Sequence, residues 1–155
     1  MLNNNYYDIA MNDLGYLHIG INSEYYNPMV IMCQQISEKL LKSVVELCCT
    51  DDKLMKSHNL RQLNSALLAV GIDLGLDAPD LSYLKDFYFD ARYPGDNFVE
   101  VTKQEFNKVL EIMYTIIKAV NNFRRDRELS INDCNIKYPE DTNPFADALN
   151  KMHGR

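Results

Sequence analysis

Arg92 and Tyr93, followed by Pro94, stand where a helix has to stop, and residues of these types at such a place can hold an anion beside a flat ring. Proline disfavours helical backbone in the residue before it, so a helix carrying Leu84, Phe87, Tyr88 and Ala91 should end near Arg92. A guanidinium displayed there can fork two hydrogen bonds to a phosphate or a carboxylate. Tyr88 and Tyr93 offer aromatic faces for a base. The neighbouring acids leave a purely structural alternative open, in which Arg92 pairs with Asp86 or Asp90 and only ties the helix end down.

Other polar residues could complete a composite site with Asp90, Arg92 and Tyr93: Gln34, Gln35, Glu38 and Lys39 on a second helix, and His58 ahead of a third. Each also has a structural reading. The glutamines and Glu38 suit solvated helix positions, Glu38 supporting Lys42 at a spacing of four. A histidine at a helix start can satisfy backbone groups that have no partner within the helix. The chain contains no HExxH, no GxSxG elbow and no glycine-rich nucleotide loop, and Gly71 to Gly75 lacks both the spacing and the Lys-Ser/Thr of a phosphate loop. Cys33, Cys48, Cys49 and Cys134 form no CxxC pair and no zinc spacing with the histidines. Nothing here calls for a metal or a cofactor.

The chain has 155 residues, enough for one core; 46% of them are hydrophobic and 25% charged, as in ordinary globular proteins. A net charge of −6 argues against coating nucleic acid by charge alone. The cluster Arg124-Arg125-Asp126-Arg127 suits a solvated helix end better than a nucleic-acid patch. With no basic start and apolar run at Met1 to Asn5, and no apolar segment of the ~18 residues that a membrane span needs, the chain reads as cytosolic and reduced.

Five amphipathic stripes position these residues. Tyr7, Ala10, Leu14, Leu17 and Ile21 recur at intervals of three and four and predict a first helix. Asn27-Pro28 reads as an N-cap and first helical position for a second, with Met29, Cys33, Ile36, Leu40, Val44 and Leu47 as its stripe and an end near Cys48. A third helix should begin near Ser57 or His58 and carry Leu60, Leu63, Leu67 and Val70 to a stop at Gly71. The fourth starts at Asp80 and carries Leu81, Leu84, Phe87 and Tyr88 to the Arg92 corner. After turn residues Pro94 to Asn97, Thr102 and Glu105 form a capping box for the longest helix, with Phe106, Val109, Met113, Ile116, Val120 and Phe123 inward to about Arg127. Met29, Met32, Met55 and Met113 are expected to fill the core or its edge.

These elements predict an all-α, antiparallel up-and-down bundle of about five helices over residues 1–128. Residues 129–155 form a C-terminal extension, in which Asn143-Pro144 would cap a short helix near 144–152 with Phe145, Leu149 and Met152 on one side.

Three segments, taken in order, resemble the HEPN domain family: Gln34-Gln35 to Lys42, which follows a QQxxEKxLK pattern, His58-Asn59-Leu60, and Ala91-Arg92-Tyr93-Pro94. The likeness covers roughly residues 6 to 127. It implies a bundle that commonly forms homodimers, with these polar positions near a shared groove. Some members of the family are metal-independent endoribonucleases, toxins among them, whose arginine is followed four to six residues later by histidine. Others bind nucleotide or serve as the helical partner of a minimal nucleotidyltransferase. Here Arg92 is followed by Tyr93 to Phe98 without a histidine. The resemblance therefore implies a non-catalytic member that binds a nucleotide or similar anionic ligand through Arg92, Tyr93, Tyr88, Asp90, His58, Lys39 and Gln35. A divergent ribonuclease using Arg92 and His58 is one alternative, and a protein-interaction module is another.

Overall fold

The computed structural model describes residues 2–49 and 51–132, and among these six helices and no strand occur. They are α1 (Tyr6–Gly20), α2 (Tyr26–Cys48), α3 (Asp52–Met55), α4 (Leu60–Ala69), α5 (Ala78–Asp90) and α6 (Lys103–Asp126). The expected all-α bundle is the fold. A sixth element arises because the one-turn α3, capped by the Asp51 side chain on the Lys53 N–H, occupies the expected link between the second and third helices. The short helix expected near 144–152 lies outside the described residues.

α2 is the central rod, packing against α1, α4, α5 and α6. Its Cys33, Ile36, Leu40 and Val44 are fully or almost fully buried. They share one core with Tyr7, Met11 and Leu14 of α1, Leu63 and Leu67 of α4, Leu84 of α5, and Phe106, Met113 and Val120 of α6. Met29 and Met113 are buried and Met32 and Met55 half-buried, as their types suggest. Two stripe residues fall outside the core: Leu47 and Val70 are about half exposed, each at or next to a helix end where the neighbouring rod no longer covers it.

Helix ends follow the local chemistry in most places. The Thr102 hydroxyl accepts from the Glu105 N–H at 3.1 Å while the Glu105 carboxylate accepts from the Thr102 N–H at 3.0 Å, closing the capping box. Gly71 adopts φ +85°, so that Ile72 N–H reaches Leu67 C=O at 2.9 Å and Gly71 N–H reaches Leu68 C=O. The same two-bond stop ends α6 with Glu128 at φ 57°, a backbone region that glycine enters at lower cost. The Asn59 side chain, not Ser57 or His58, caps α4, accepting from the N–H groups of Arg61 and Gln62. Asp77 caps α5, which therefore begins two residues ahead of Asp80.

Asn27 departs from its expected role. The capping position of α2 is Tyr25, whose side chain makes no capping bond, and Asn27 and Pro28 lie inside the first turn. The Asn27 amide instead reaches across the bundle, donating to Ala91 C=O at 3.0 Å and Val99 C=O at 2.8 Å and accepting from Val101 N–H at 2.8 Å. One side chain thus fixes where the backbone after α5 must turn. Val99 N–H completes that clasp by donating to Asp90 C=O at 2.7 Å.

Candidate functional site

α5 unwinds as Arg92 and Tyr93 both direct their N–H groups to Phe89 C=O, at 3.1 and 3.0 Å. Arg92 follows the last helical turn with its guanidinium 4.6 Å from the centre of the Tyr88 ring and 5.9 Å from that of Tyr93. The structural alternative for Arg92 is not adopted: among the described residues it makes no ion pair, and Asp86 pairs with Lys85 instead, at 3.4 Å. A guanidinium on an aromatic face is oriented at a gain of roughly 0.5–1 kcal/mol at exposed sites, and all its N–H groups remain available to an acceptor.

A second side chain meets the same ring. The His58 imidazole stacks on Tyr88 with centroids 4.2 Å apart and planes 15° apart. Its Nδ1 lies 2.9 Å from Glu38 Oε1, and because an ionised carboxylate only accepts, that nitrogen carries the hydrogen. In the neutral imidazole Nε2 is then the acceptor. Glu38 in turn takes Lys42 Nζ on its other oxygen at 3.0 Å, and Gln34 Nε2 bridges Glu38 Oε1 and His58 C=O at 3.3 and 3.4 Å. The expectation that Gln34, Glu38 and Lys42 sit on a wet face fails: they are 0%, 7% and 4% exposed. The one-turn α3 and the start of α4 bring the His58 loop over this side of α2, which closes it off from solvent.

The residues singled out from sequence therefore divide. Gln34, Glu38, His58, Tyr88, Arg92 and Tyr93 form one run of contacts from α2, through the loop before α4, to the end of α5. Asp90 is held beside them through its backbone, and with His58, Asn59, Lys85, Asp86, Tyr88 and Phe89 it lines an open groove of about 390 Å³. Lys39 lies elsewhere, its Nζ paired with Asp13 of α1 at 2.5 Å. Gln35 is half-buried on α2 and makes no hydrogen bond among the described residues. Two participants were not assigned to the site from sequence: Lys42, signalled by its spacing of four from Glu38 and as the last residue of the QQxxEKxLK pattern, and Phe89, 61% exposed and in contact with the Tyr88 and Tyr93 rings.

This arrangement can present a fixed positive charge, two exposed rings and an oriented imidazole to one ligand. Comparison with known families matches the HEPN domain to residues 4–123, a span that holds α1 to α5 and most of α6. The chain belongs to the HEPN domain family. No curated protein and no solved structure gives a significant match. The run of contacts in this HEPN domain joins residues of the three segments singled out above through Tyr88, which precedes the last of them. No helix among the described residues is long and apolar enough to cross a membrane.

Proposed function

We propose that this HEPN domain binds a nucleotide or a similarly anionic ligand at the end of α5, without catalysing its turnover, as a homodimer that partners a separate minimal nucleotidyltransferase. The observation that carries the reading is the state of Arg92: half-buried, steered by Tyr88 and Tyr93, and with no carboxylate partner among the described residues. Arg92 takes the phosphate. Tyr88 is already engaged by Arg92 and His58, so the surface for a base falls to Tyr93 and Phe89, 50% and 61% exposed. Calorimetry with ATP and GTP tests this. Arg92→Ala should weaken binding at least tenfold, in line with the roughly 1.5–3 kcal/mol of a charged hydrogen bond, while leaving the denaturation midpoint nearly unchanged. Absence of heat with any nucleotide, or full affinity in Arg92→Ala, overturns the proposal.

One observation favours a second reading. His58 and Arg92 meet on a single tyrosine ring although they lie far apart in the chain, and Glu38 orients the imidazole. Such a pair supplies a base for a ribose 2′-hydroxyl and a charge for the phosphorane that follows. RNA cleaved in the presence of a chelator, and left intact by both His58→Ala and Arg92→Ala, would replace the binding reading with a ribonuclease. RNA that survives prolonged incubation with the unaltered chain removes this second reading.

A further inference from the structure

A second concavity lies away from these charges, where the end of α1 meets the start of α2. It is an open groove of about 340 Å³ lined by Tyr16, Leu17 and Ile19 of α1, Tyr25 at the connection, and Pro28, Met29 and Met32 of α2, among others. None of its lining residues is an acid, a lysine, an arginine or a histidine. Three large side chains on its rim are solvent-exposed: Ile19 at 84%, Tyr25 at 73% and Tyr16 at 66%. Apolar exposure gathered in one place is costly, and it calls for an apolar cover rather than an ionic guest.

The chain supplies such a cover. Residues 133–155 lie outside the described residues, and in their sequence Phe145, Leu149 and Met152 recur at helical spacing after Asn143-Pro144. The described chain ends at the other end of α1, within reach of the groove. Asn132 N–H donates to the Tyr7 hydroxyl at 2.9 Å, and that hydroxyl donates to Asn121 Oδ1 at 2.7 Å, so the segment departs from beside the first turn of α1. From Tyr7 to the groove at Tyr16 and Ile19 the helix rises about 14–18 Å. The twelve residues from 133 to 144 can span roughly 40 Å when extended. A tether of this length holds its end at an effective concentration on the order of millimolar.

We infer that the α1/α2 groove is the docking site for residues 144–152 of the same chain, with Phe145 and Leu149 placed among Tyr16, Ile19, Tyr25 and Met29. Pro28 at the groove follows Asn27, whose amide grips the backbone beside Arg92, so the docked segment neighbours the ligand corner without entering it. The experiment compares the full chain with its Phe145→Asp/Leu149→Asp variant, whose changes lie outside the bundle core. Hydrogen exchange in the last turn of α1 and in residues 26–32 should accelerate at least tenfold in the variant. Binding of an apolar dye should rise several-fold. Unchanged exchange and dye binding overturn the inference. Oxidation of an Ile19→Cys/Leu149→Cys chain, in which Cys48, Cys49 and Cys134 are serine, should give a disulfide within one chain. A disulfide between two chains would overturn docking in cis, assigning the groove to a second copy.

Discussion

Two sets of polar residues on α2 look alike in sequence and have opposite fates. Asn27, Gln34, Glu38 and Lys42 follow one another at intervals of seven, four and four, which places them on a single strip of the helix. That strip is turned toward α4 and α5, where it holds the backbone after α5 at one end and His58 at the other. Lys39 is turned toward α1, and its pair with Asp13 is more than a quarter exposed on both sides. Burial makes the difference between the two. Removing charges from water costs several kcal/mol per ion unless partners satisfy them, whereas a wet pair gains and loses little. The buried strip contains an imperfection as well: Gln34 Oε1, like Asn64 Oδ1 on α4, has no hydrogen-bond partner among the described residues.

The largest test of this contrast is Glu38→Ala. It leaves Lys42 buried without its counter-charge and His58 without its acceptor, and breaking a buried pair in this way costs about 3–5 kcal/mol. Urea denaturation should show the loss as a shifted midpoint at constant slope. Replacing both partners, as in Glu38→Leu/Lys42→Met, should recover much of it, because no isolated charge then remains. A loss below about 1 kcal/mol in Glu38→Ala would mean that this strip is as wet as Lys39, and the contrast would disappear.

The strip also marks where sequence reasoning reached its limit. The five long helices were legible because their core stripes repeat with the helical period, and Thr102, Glu105 and Gly71 name their own helix ends. Residues such as Glu38 and Lys42 are not legible in that way. An acid and a lysine four apart are most often solvated, and only the approach of the His58 loop, a tertiary fact, buries them. Asn27 misleads for a related reason: Asn-Pro is cap chemistry locally, but three backbone groups from distant residues offered its amide better partners. Of the candidate site, Gln34, Glu38, His58, Tyr88, Arg92 and Tyr93 could be read, while Lys39 and Gln35 were assigned to it and lie apart. That His58 and Arg92 meet on Tyr88 could not, because no local pattern encodes which rings pack together.

Asn27→Ala should have the next largest effect. Three hydrogen bonds are lost together, two of them to carbonyls, and at about 1 kcal/mol each the loss is about 2–3 kcal/mol. The more informative readout is ligand affinity. Because Asn27 holds Ala91 and Val99 in place without touching Arg92, its removal should weaken nucleotide binding through a looser corner while the guanidinium itself is intact. Nucleotide affinity unchanged in a destabilised Asn27→Ala would show that the clasp supports the fold alone.

Lys39→Ala should change least, and its smallness is the point. The ion pair with Asp13 is partly solvated on both sides, so its removal should cost between zero and about 1 kcal/mol, with alanine's better helix propensity offsetting part of that. Salt separates this pair from the buried one. Near 1 M ionic strength the screening length falls to about 3 Å, so the cost of Lys39→Ala should shrink further, while that of Glu38→Ala, at a largely buried pair, should persist. Denaturation curves of the two variants at low and high salt would therefore diverge. If both losses faded together with salt, the carboxylate of Glu38 would have to be reached by solvent, and His58 would be held over Tyr88 by the ring contact alone.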